Sequence, residues 1–117
     1  MQLAAVSLDD KYERREGRVH ITGSQAIVRL AMMQCIRDRA SGLDTACYIT
    51  GYRGSPMHNI DKELWSAKRF LPGSGIHFQP AVNEDLAATA IWGTQQATAF
   101  GDCRHDGIFS MWYGKGP

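Results

Sequence analysis

TACYITGYRGSPM, residues 45–57, is the stretch on which the fold turns. Its first half, Thr45–Thr50, carries no charge and mixes small, aromatic and β-branched residues, the composition of a buried strand. Its second half, Gly51–Met57, holds two glycines and one proline, which forbid regular structure. A buried strand that breaks into such a loop with a helix behind it is a building unit of α/β proteins.

The same alternation extends in both directions. Upstream, QAIVRLAMMQCIRDRA (25–40) predicts a strong helix. Its apolar residues lie nearly all round until Gln34, so burial on more than one side is expected. Thr22, Gly23 and Ser24 supply helix-start chemistry, and Ser41-Gly42 ends the helix. RVHIT (18–22) alternates and predicts a short strand. Residues 1–17 are polar and irregular, an N-terminal arm expected to lie on another surface, with the domain proper covering 18–117.

Downstream, Asn59 can cap a helix reaching Phe70, with Asp61 and Glu63 favourable in its first turn. Pro72–Gly75 reads as a turn and Ile76–Gln79 as a short strand. Asn83 then caps a second strong helix over 84–99, rich in Ala, Gly and Thr. A loop at 101–107 leads to a buried strand at Ile108–Tyr113. Strand, helix, strand, helix, strand, helix, strand is the order of an α/β fold with a parallel sheet and packed helices. Ligands of open parallel sheets bind at the carboxyl ends of strands. The loops at 51–57, 80–84 and 114–117 fall there.

Composition narrows the function classes. The chain has 117 residues, enough for one small domain. A net charge of +1 gives no ground for a nucleic-acid partner or an anionic membrane. No apolar run approaches the ~18 residues of a membrane span, and the N-terminus lacks the charged start and apolar run of a secretory signal. Cys35, Cys47 and Cys103 are scattered and odd in number, which points to a reducing, cytoplasmic setting and to cysteines used as small core hydrophobes. His20, His58, His77 and His105 show no metal-ligand spacing and read as surface or strand residues.

Two segments carry candidate chemistry. In Gly51-Tyr52-Arg53-Gly54-Ser55-Pro56, the glycines let backbone approach a ligand and Ser55 can donate or accept a hydrogen bond. A plain strand-to-helix turn has the same composition. Asn83-Glu84-Asp85 opens a helix directly after a strand, where the helix dipole alone favours acids. Glu84 can also face a pocket at the strand ends, where a carboxyl group shielded from water would hold its proton more tightly and share it with a ligand nitrogen.

YITGYRGSP (48–56), FQPAVNEDLAATAIWGTQQ (78–96) and GIFSMWYGKGP (107–117) resemble the opening of the fused, single-chain indolepyruvate:ferredoxin oxidoreductases. So do SLDDKY (7–12) and GRVHITGSQAIVRL (17–30). The resemblance covers essentially the whole chain. It implies a three-layer, parallel-sheet fold of the kind that binds the pyrimidine of thiamine diphosphate. That fold has more strands than the four read here, so the domain is expected to be truncated.

What the resemblance implies for the site falls on particular residues. Glu84 would contact ring nitrogen N1′ of the aminopyrimidine as the catalytic carboxyl, beside Asn83. The turn holding Tyr52, Arg53, Gly54, Ser55 and Pro56 would lie beside the thiazolium and the keto acid. Lys115, in the last loop, would approach the cofactor. The family oxidatively decarboxylates 2-oxoacids to acyl-coenzyme A and passes electrons through iron–sulfur clusters to ferredoxin. Its magnesium–diphosphate motif and cluster cysteines are missing from this chain and sit on other domains of the same enzyme, so the chain alone is expected to be inactive. The family also implies a homodimer. A different thiamine enzyme, or a stand-alone α/β binding module, remains an alternative.

Overall fold

A computed structural model describes residues 4–115; the readings at Gly116 and Pro117 lie outside the described residues. The elements are α1 (Asp10–Glu13), α2 (Gly23–Ala40), β1 (Thr45–Gly51), α3 (His58–Ser66), β2 (Ile76–Phe78), α4 (Glu84–Gln96) and β3 (Gly107–Tyr113). A short 3₁₀ turn, Pro72–Ser74, stands before β2.

The three strands form one parallel open sheet in the order β2-β1-β3. β1, the central strand, pairs Cys47 with Ile76 on one side and with Phe109 on the other. Strand alternation then sorts the faces. Cys47 and Ile49 enter the core with Val28, Ala31, Met32 and Cys35 of α2 and with Ile60 and Leu64 of α3. Ser110, on the opposite face of β3, meets Thr94 of α4 hydroxyl to hydroxyl at 2.8 Å. Helices therefore cover both faces, and the domain is compatible with a three-layer α/β fold. The second face is the thinner one: α4 buries Ala87, while Leu86 and Trp92 stay exposed.

Local chemistry sets the helix boundaries. Thr22 caps α2 in a reciprocal box with Gln25, each side chain bonding the other's backbone N–H. Asn83 caps α4 by accepting the Leu86 N–H at 2.8 Å. Among the described residues, no helix is long and apolar enough to cross a membrane.

Several readings of the sequence need correction. Residues 18–22 form no strand. Their alternation is present as alternating exposure, but a strand needs a paired neighbour, and this segment instead runs into the α2 cap. The arm does not lie on some other surface. It contains α1, whose Tyr12 is buried in the core 5.5 Å from the Phe70 ring. Arg29 of α2 ties the arm down, donating to the carbonyls of Lys11 at 2.8 Å and Arg14 at 2.6 Å. α2 is buried along the single stripe 28, 31, 32 and 35, and Leu30 is exposed. α3 starts at His58, is not capped by Asn59, and ends at Ser66 rather than Phe70. α4 stops at Gln96, three residues short of the expected end. Cys35 and Cys47 are core residues, but Cys103 is only half-buried. Burial pushes the thiol pKa up at both core cysteines, so neither is a poised nucleophile.

Candidate functional site

All three strands run the same way, so the segments after Gly51, Phe78 and Tyr113 share one edge of the sheet. The path along that edge is fixed by backbone bonds. Gln79 donates its N–H to the Ile49 carbonyl at 3.0 Å, and Ala81 donates to Gly51 at 2.9 Å. Tyr52 and Ala81 form a parallel bridge. The chain thus leaves β2, passes the end of β1 and begins α4 at Glu84. There the Glu84 Cγ lies 3.5 Å from where a Cβ on Gly114 would stand. The same Cβ would meet the Trp112 ring at 2.9 Å, so only glycine leaves this space open. β1 connects through α3 to one side of the sheet and β2 connects through α4 to the other, which makes the β1–β3 crevice a topological switch point.

Glu84 is half-exposed at this crevice, and among the described residues its carboxylate has no hydrogen-bond or ion-pair partner. The α4 N-terminus holds it electrostatically. On the face of the sheet covered by α2 and α3, a cavity of about 330 Å³ is lined by Ile27, Ile49, Met57, Ile60 and Met111, and Gly114 is the lining residue nearest to Glu84, which does not itself line it. A carboxyl without a partner among the described residues, at the N-terminus of a helix, is free to meet a protonatable ligand nitrogen. Asn83 Oδ1 is already engaged in capping, which leaves its amide N–H groups for any ligand.

The 51–56 turn is organised differently. Ser55 is buried, and its Oγ accepts the Met57 N–H at 3.0 Å. Its acceptor capacity serves the turn, while its own proton stays available to donate. Ser55→Ala is expected to lower unfolding stability by about 0.5–1.5 kcal/mol, the net worth of one hydrogen bond. Urea denaturation measures this, and an unchanged midpoint would mean that the turn does not depend on that bond. The Tyr52 ring packs over Gly54, Pro56 is exposed, and Lys115 is exposed at the end of the described chain. Arg53 turns toward α3, where its Nε donates to Asp61 Oδ2 at 2.9 Å.

That contact leads to a pair of residues sequence reasoning missed. Asp61, 1% exposed, accepts from Arg53 with one oxygen and from the Tyr113 hydroxyl with the other, at 2.7 Å. The network ties the end of β3 to α3 and to the 51–57 turn. In sequence, Asp61 looks like an ordinary first-turn acid and Tyr113 like a core aromatic; nothing in their spacing joins them.

Both buried tyrosines hold their protons tightly. Burial first, then the Glu63 charge and hydrogen bond, push Tyr12 from the ordinary 10.0 up to about 12. Burial, followed by the Asp61 bond and charge, raises Tyr113 as well, with Arg53 opposing. Since the folded values lie above the unfolded ones, this stabilisation is complete below pH 10 and is lost as pH rises through the folded values. Denaturation midpoints are therefore expected to fall between about pH 10 and 12, and less steeply in Tyr113→Phe. A midpoint flat across that window would refute the shifts.

Comparison with protein-family models, with curated proteins and with solved structures finds no match to this chain.

Proposed function

We propose that this domain is the pyrimidine-binding part of a thiamine-diphosphate-dependent 2-oxoacid:ferredoxin oxidoreductase of the indolepyruvate type. One observation carries the reading. Glu84, the residue that the sequence resemblance singles out, opens α4 at the sheet's carboxyl edge, its carboxylate without a partner among the described residues, beside the space that Gly114 keeps open.

When bound, thiamine diphosphate supplies the nucleophilic carbon and the electron sink for 2-oxoacid decarboxylation. The chain's own contribution is positional and protonic. The Asn83 cap sets the first turn of α4, and that turn places Glu84 at the crevice, its Cγ close to Gly114. With the cofactor bound, Glu84 would share a proton with N1′ of the aminopyrimidine, an exchange a carboxyl can make and an amide cannot. Magnesium, the diphosphate, the iron–sulfur clusters and coenzyme A are left to other domains of the enzyme.

The experiment is calorimetric titration of thiamine diphosphate, with magnesium, into the chain alone and into the chain joined to a magnesium–diphosphate domain of the same enzyme class. Weak binding to the first and tight, Glu84-dependent binding to the second is the expected result. Tight binding to the chain alone would show that recognition rests on other groups. Absence of binding to both would leave the stand-alone α/β module as the better reading.

A further inference from the structure

A second site lies on α3, apart from the Glu84 crevice. His58, Lys62, Trp65 and Ser66 fall at i, i+4, i+7 and i+8, the spacing that places residues along one side of a helix. Arg53 reaches over from the turn after β1, and together these residues line a cavity of about 430 Å³. Lys68, beyond the end of α3, does not line this cavity but sits over the Trp65 ring, its Nζ 4.9 Å from the centroid.

The cluster is anchored. Asp61, nearly completely buried, holds Arg53 by its Nε alone, and the Tyr113 hydroxyl fixes the other carboxylate oxygen. Among the described residues the outer Nη edge of Arg53 has no partner, and the side chain is 70% exposed. A guanidinium clamped at Nε presents its Nη pair in the geometry that takes a phosphate through two parallel bonds. Lys62 adds an exposed cation, and Asp61, the acid lining the cavity, is already engaged. Trp65 is the other half of the site. Its indole is 40% exposed, with Arg53 Cζ 5.9 Å and Lys68 Nζ 4.9 Å from the ring centroid and Phe78 packed edge-on. It offers a flat apolar wall within reach of two cations.

We infer that this cavity binds a nucleoside phosphate. The phosphate lies on the Arg53 Nη edge with Lys62, and the planar base lies against Trp65 and the Arg53 guanidinium. Inorganic phosphate would satisfy only the cations and a nucleoside only the indole. The volume falls in the range of roughly 300–1,000 Å³ typical of small-ligand sites.

Calorimetric titration of the chain with ADP, inorganic phosphate and adenosine tests the assignment. ADP is expected to bind saturably and about tenfold or more tightly than either fragment, and to weaken as salt is raised. Arg53→Gln should weaken ADP about tenfold, the loss expected for a charge-assisted pair. Trp65→Leu should remove most of the advantage of ADP over inorganic phosphate. Because Arg53→Gln also disturbs the Asp61 pair, Lys62→Gln, on an exposed side chain, provides a second variant and should weaken ADP several-fold. No saturable ADP binding, ADP no tighter than inorganic phosphate, or full affinity retained in Lys62→Gln together with a folded Arg53→Gln would each overturn the inference.

Discussion

Under the proposed function, Glu84→Gln in the complete, cofactor-saturated enzyme is expected to keep the fold and to lose about 10²–10⁴-fold of turnover, the usual contribution of a general acid–base group. The structure separates these two effects. Among the described residues Glu84 makes no hydrogen bond or ion pair that the amide would break. The stability cost is then limited to the helix-dipole interaction, about 0.3–1 kcal/mol. Gln has nearly the same shape and can still hydrogen-bond a ring nitrogen, but it cannot exchange a proton with it. Binding of thiamine diphosphate should therefore change far less than the rate, and the thermal midpoint hardly at all. Steady-state turnover beside calorimetric affinity reads the difference. Near-normal turnover at cofactor saturation would remove Glu84 from the chemistry, and a collapse of the thermal midpoint would mean that its role is structural.

How much of this was legible in sequence depends on whether the determinant was local. Thr45–Thr50 is a strand because its uncharged small, aromatic and β-branched residues suit a covered sheet, with Cys47, Ile49 and Thr50 buried and the rest partly so, and that composition is written in six consecutive residues. Asn83 caps α4 through a bond three residues along the chain, and the Thr22–Gln25 box works over the same distance. That Glu84 opens a helix shortly after a strand is a local signal; that this strand end shares an edge with those of β1 and β3 comes from long-range pairing. Residues 18–22 have the right alternation and still pair with nothing, because pairing is decided by what the rest of the sheet offers. Tyr12 looked like part of a polar arm, since a single aromatic among charges does not announce that it reaches Phe70 across 58 positions. The resemblance puts Arg53 in the turn beside the cofactor. Its orientation is set by Asp61, a buried charge whose partners are eight and 52 residues away. The glycine at 51 was read as room for a ligand, whereas the space beside it is filled by Tyr113.

That last point gives the largest expected effect on stability. A Cβ at position 51 would lie under 3.0 Å from the Tyr113 carbonyl oxygen and from its ring carbons, closer than real Cβ atoms come. Two features prevent relief. Part of the obstacle is backbone, which cannot rotate away as a flexible side chain can. Gly51 and Tyr113 are also register partners at the end of β1 and β3, so separating them opens the pairing of the central strand. The ring is held as well, through its hydroxyl on buried Asp61. Overpacking of this kind costs typically about 1–3 kcal/mol and more where backbone must move. A domain of this size has only about 5–15 kcal/mol in total. Gly51→Ala is therefore expected to lower the urea midpoint severely or to prevent folding. Gly93 in α4 supplies the contrast, because a Cβ there meets nothing within 4 Å. Gly93→Ala should stabilise by about 0.5–1 kcal/mol through helix propensity alone. In Gly51→Ala/Tyr113→Ala the ring clash disappears while the carbonyl clash remains, so recovery of the Gly51→Ala defect should be partial at most, and the lost core aromatic adds its own cost. A Gly51→Ala midpoint equal to that of the unmodified chain would show that β1 and β3 separate freely at this end. The Glu84–Gly114 edge would then lack the rigid floor on which its geometry depends.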